Sequence, residues 1–132
     1  MVHTNRVNHM YIAKNLIGGK EKVEAFIRKY EFLPYKELIQ GFDEDEDRLY
    51  VDYNTYKLEK LGDMPPNRNV WCFDKKTGKR LWVIEEAKGE SSPYSGAMLS
   101  GKTGILTVHI MGGWNYDLDP ETGKISNPVF TK

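Results

Sequence analysis

A chain of 132 residues, 39% hydrophobic and 12% aromatic, can build one modest core but not two independent ones. Its 19 basic and 19 acidic residues cancel, which leaves no net field to draw nucleic acid or an anionic membrane. The single cysteine, Cys72, excludes an internal disulfide and a zinc cage of several thiolates, and fits a reducing compartment.

The first nine residues are polar and lack the apolar stretch of a signal peptide, so they are expected to form a loose leader. No run of about 18 apolar residues follows that could cross a membrane as a helix. Tyr11 to Ile17 is apolar without a clean period, fits a strand or a short helix equally, and is closed by Gly18-Gly19. Val23, Phe26, Ile27 and Tyr30 then recur at helical spacing among charged residues, which predicts an amphipathic helix over residues 20–31, ending before Pro34. Tyr35 to Gln40 alternates weakly. The five carboxylates Asp43, Glu44, Asp45, Glu46 and Asp47 come next, and their burial would be costly, so an exposed turn is expected.

From residue 46 onward the pattern is β. Leu49, Val51 and Tyr53 alternate with Tyr50 and Asp52; Val70 to Phe73, Arg80 to Ile84 and Ile105 to Ile110 are apolar or β-branched runs; Trp114, Tyr116 and Leu118 alternate with Asn115 and Asp117. Two turns, Asp74 to Lys79 and Asp119 to Lys124, share the pattern Asp-x-x-Thr-Gly-Lys and lie 45 residues apart, the period of a four-stranded blade. In each, aspartate can accept from turn amides and glycine can supply a left-handed conformation.

The stretch Asn69-Val70-Trp71-Cys72-Phe73-Asp74-Lys75-Lys76-Thr77-Gly78-Lys79-Arg80-Leu81-Trp82 resembles a blade repeat of the quinoprotein-like β-propellers. The resemblance implies hairpin geometry in two degenerate copies, the second with Asn127 in place of Trp82, and carries over no quinone site. Two blades do not close a ring, which takes roughly four to eight. Gly113-Trp114-Asn115-Tyr116-Asp117-Leu118-Asp119, followed by Thr122-Gly123-Lys124, is also similar to the closing meander of small bacterial immunity proteins encoded beside polymorphic or contact-dependent toxins.

Several motifs have competing readings. Gly96 to Thr103 satisfies the phosphate-binding loop expression, but loop-like residues precede it and a strand follows, so a hairpin turn at Ser100 to Gly104 is expected instead. Asp43, Asp45 and Asp47 match the first ligands of a calcium loop, yet Arg48 and Asn54 occupy the positions that require glycine and glutamate. Cys72 between Trp71 and Phe73 suits a buried hydrophobe better than a nucleophile paired with His109. Glu85 and Glu86, as neighbours on one strand, would point to opposite faces.

The expectation is therefore an α+β fold in one domain, with an N-terminal amphipathic helix packed on an antiparallel β-meander of two blade-like units. The expected function is stoichiometric binding of a cognate protein toxin in the cytoplasm, without enzymatic activity, cofactor, metal, nucleic acid or membrane, by a monomer or an edge-strand dimer. Partner binding is assigned to Asp43, Glu44, Asp45, Glu46 and Asp47, whose charge would steer a basic partner, and to Asn115 and Asp117 on a polar sheet face. The alternative is a small-molecule or enzymatic site between helix and sheet, lined by the Trp and Tyr cluster.

Overall fold

The computed structural model of the protein describes residues 16–99, 105–110 and 113–130; the expected leader, residues 1–9, lies outside them. Helix α1 spans Leu16–Lys29, so it begins ahead of its expected start and continues through Gly18 and Gly19. A helical glycine costs about 1 kcal/mol relative to alanine. Burial of Val23 and Phe26, at about 1.5–3 kcal/mol each, offsets the pair.

Eight strands follow among the described residues: β1 (Ile39–Glu44), β2 (Arg48–Tyr53), β3 (Val70–Asp74), β4 (Arg80–Val83), β5 (Tyr94–Leu99), β6 (Leu106–Ile110), β7 (Trp114–Leu118) and β8 (Ile125–Phe130). They form two four-stranded antiparallel meanders, β1-β2-β3-β4 and β5-β6-β7-β8, which with α1 make an α+β protein. Strand structure thus starts at Ile39, before the expected boundary at 46, and the acidic run is half strand. The phosphate-loop match is likewise divided: Gly96 to Leu99 belong to β5, and Ser100 to Thr103 lie outside the described residues.

The first sheet carries a core on each face. Phe26, Tyr30, Phe42, Leu49, Val51, Tyr53, Trp71 and Phe73 gather on the helix side, with the Phe26 and Phe42 rings stacked at 3.9 Å. Tyr50, Val70, Cys72, Trp82 and Ile84 turn the other way, onto Tyr94, Leu99, Leu106, Val108, Ile110 and Leu118 of the second sheet. Leu49 to Tyr53 are consequently all buried, as in a strand covered on both sides. β6 instead alternates between buried and half-buried residues, because only one face of its sheet is covered.

The two Asp-x-x-Thr-Gly-Lys turns fold alike, closing β3–β4 and β7–β8. Asp74 accepts from the Lys76 amide at 2.8 Å, and Asp119 from the Glu121 amide at 2.9 Å. Thr77 and Thr122 each accept from the following lysine amide at 3.2 Å. Gly78 and Gly123 sit at φ 77° and 80°, where a side chain is strained, which explains the shared glycine. The Trp82 indole N–H donates to the Pro120 carbonyl at 2.8 Å and its ring covers Gly123, so the first sheet's last strand is seated on the second sheet's last turn.

Candidate functional site

The structure corrects the expected exposed acidic turn, because three of its five carboxylates have structural partners. Asp43 is fully buried: Oδ1 accepts from the Glu44 amide at 2.8 Å, and Oδ2 accepts from the Leu99 amide of the other sheet at 2.7 Å. Glu44 accepts from the Tyr30 hydroxyl at 2.9 Å and pairs with Lys75 at 2.9 Å. Asp45 shapes the β1–β2 turn by accepting from the Asp47 and Arg48 amides, and takes the Tyr50 hydroxyl at 2.7 Å. Glu46 and Asp47 alone face solvent. Burial is affordable at Asp43 because backbone amides satisfy the charge.

Asn115 and Asp117 lie on the uncovered face of the second sheet, as the alternation implied. Asn115 Oδ1 is 2.6 Å from His109 Nδ1, and Asp117 accepts from Asn127 Nδ2 at 2.8 Å. Cys72 is sealed between the sheets, where burial pushes its thiol up to about 12, while His109 sits on the far side of the second sheet. The two form no dyad. The space between helix and sheet, the alternative ligand site, is filled by packed rings: Tyr53 meets Trp71 at 5.0 Å, and Phe26 meets Tyr30 at 5.2 Å.

Open space lies instead between the sheets at their outer strands. Two lobes of about 480 and 440 Å³ share Glu85 and Glu86; Arg68, Thr122 and Lys124 line the first, and Lys88, Glu90, Trp114, Tyr116 and Pro128 the second. β4 ends at Val83, so Glu85 and Glu86 lie beyond the strand and both border the groove, contrary to their expected opposition. Glu85 ties its floor together: its amide donates to the Gly123 carbonyl, its Oε1 accepts from the Ile125 amide, and its carbonyl accepts from the Tyr94 hydroxyl at 2.7 Å. Glu86 accepts from Asn67 Nδ2 at 3.0 Å. Burial, and after it the negative charge of Glu90, raises the Tyr116 hydroxyl above its ordinary pKa.

The aromatic lobe continues onto β8. Trp114 meets Phe130 edge-on at 5.3 Å, and Phe130 is 53% exposed, while Val129, paired with Asn115, is exposed on the other face of the sheet. Nothing in the sequence joins Glu85 and Glu86, expected on opposite faces of one strand, to Trp114 and Tyr116. The only local signal was the aromatic alternation of β7, which does not reveal what faces it.

Two meanders stacked face to face, open along one side, define a β-rich protein with an inter-sheet groove. Residues 55–130, from the connection before β3 through β8, match the domain of unknown function DUF7957, and the chain belongs to that family. No curated protein and no solved structure matches it. Among the described residues, no helix is long and apolar enough to cross a membrane.

Proposed function

We propose that the protein is a stoichiometric protein-binding inhibitor of the immunity type, neutralising a cognate bacterial toxin in the cytoplasm, and that it engages the partner through the groove and the adjoining end of β8. The observation that carries this reading is the exposed Phe130 ring against Trp114, with Trp114 sharing its lobe of the groove with the carboxylates of Glu85, Glu86 and Glu90. Apolar and aromatic anchors that desolvate on contact, ringed by charge, are what concentrates binding energy at protein interfaces. Glu46 and Asp47 add solvent-facing charge that steers a basic partner toward the molecule.

We further infer that the two sheets are successive degenerate blades. Trp82 seated on the next sheet's turn supports this, and Asn127 stands at the matching place on β8. Pro128 and the left-handed Asn127 interrupt the free edge of β8, which favours a monomer over an edge-strand dimer.

The test is capture of the tagged protein's partner from its native cells, repeated with Phe130→Ala and Trp114→Ala variants whose melting temperatures are first checked. One stoichiometric partner carrying a toxin domain, lost or weakened at least tenfold by either variant, is expected, since interface aromatics often contribute more than about 2 kcal/mol. A partner retained equally by both variants would place the interface elsewhere, and the absence of any protein partner would sink the reading.

A further inference from the structure

We propose that the aromatic lobe of the groove receives an arginine side chain presented by the partner protein. The inference rests on the protein-binding reading for the source of that side chain, and on the groove's own chemistry for the guanidinium.

Three carboxylates, Glu85, Glu86 and Glu90, border this lobe, and among the described residues none of them is in an ion pair. Two are held in place by neutral donors. Glu85 takes the Ile125 amide on Oε1, and Glu86 takes the Asn67 amide group on Oε2, so each keeps oxygen lone pairs available for a further donor. Acids outnumber bases in the lining of this lobe. Arg68 is committed to the Ile84 and Val83 carbonyls at 2.8 and 3.3 Å, Lys124 lines the other lobe, and Lys88 is the single base against three acids here.

The lining is also aromatic. Trp114 and Tyr116 lie on alternate positions of β7, on the face turned toward the first sheet, and both line the lobe. A site lined by both aromatic rings and carboxylates matches a planar, delocalised cation. Guanidinium stacks on rings while its five N–H donors reach carboxylates in a fork, whereas an ammonium supplies a point charge that gains less from the rings. A neutral urea of the same shape keeps the plane and loses the charge.

These differences define the experiment. The full-length 15N-labelled protein is titrated with N-acetylarginine amide, N-acetyllysine amide and N-acetylcitrulline amide, following the Trp114 indole N–H by NMR. The expected result is a saturable shift with arginine, a weaker one with lysine and none with citrulline. The double variant Glu86→Gln, Glu90→Gln should weaken arginine binding about tenfold or more, as loss of charge-assisted hydrogen bonds implies. No saturable shift, equal shifts with citrulline, or indifference to the double variant would each overturn the proposal.

The captured partner separates this idea from the broader one. If the double variant also weakens partner binding, and one arginine of the partner replaced by glutamine reproduces the loss, the assignment stands. If the partner binds the double variant normally, the arginine proposal fails while the protein-binding reading survives. If arginine titrates the groove but no protein is captured, the protein-binding reading fails, and with it the partner as the source.

Discussion

Asp52 should make the stability of this protein fall as pH rises through the neutral range. It lies on β2, almost wholly buried, and burial drives its carboxyl from the ordinary 3.8 up to about 8. The Asn69 side-chain amide reaches its Oδ1 at 3.2 Å and the Gln40 side chain also bonds to it, but these neutral donors do not restore the lost hydration of a carboxylate. A folded-state pKa above the unfolded value means that the stability is fully present below about pH 3.8 and is lost as pH rises through about 8. Between those limits the loss grows by about 1.4 kcal/mol per pH unit, reaching about 4 kcal/mol by pH 7 and levelling off near 6 above pH 8. Asp52→Asn keeps the shape and the acceptor oxygen but cannot ionise. Urea unfolding at pH 5, 6, 7 and 8 should therefore show the variant gaining on the parent protein at each step, with a total difference of about 3–4 kcal/mol across the series. Parallel profiles would refute the reasoning, and would mean that water or local opening hydrates this carboxyl in the folded state.

Other perturbations separate structural carboxylates, glycines and thiols from solvent-facing ones. Asp43→Ala strands the Leu99 amide between the sheets and should cost about 2–4 kcal/mol in urea unfolding. Glu46→Ala with Asp47→Ala should stay within about 0.5 kcal/mol, and equal effects would contradict the division of the acidic run. Gly78, Gly89 and Gly123 have φ of 77°, 80° and 80°, but an added Cβ meets nothing within 4 Å at Gly89, Phe32 at 2.7 Å at Gly78, and Trp82 at 2.5 Å at Gly123. Alanine at Gly89 should cost about 1–2 kcal/mol from backbone strain, and more at the other two; three equal losses would disprove the seating of Phe32 and Trp82 on the turns. Cys72 should resist Ellman's reagent at pH 8 in the folded protein and react once unfolded in urea, because it is buried and its thiol is held up to about 12. Immediate reaction without denaturant would show that the space between the sheets opens.

Periodicity and turn chemistry are local, and what depended on them was legible in the chain. Val23 and Phe26 mark the buried helix face, with Tyr30 just beyond its end, the alternation of Leu106 to Ile110 marks a half-covered strand, and aspartate, threonine and glycine specify two like turns because each bonds within its own few residues. Other features depended on the packing of distant segments. Asp43 and Glu46 look alike in a run of carboxylates, and only the approach of Leu99 decides that the first is buried and the second solvated. Asp52 reads as the polar side of an alternating strand, until a second sheet covers that side. The groove combines Glu85, Glu86 and Glu90 with Trp114 and Tyr116, and no pattern within either segment specifies how the other will sit. Hydrogen-bonded turns and side-chain periods follow from neighbours along the chain, whereas burial, carboxyl ionisation and a binding groove follow from which surfaces exclude water together, and that is set only when the two sheets meet.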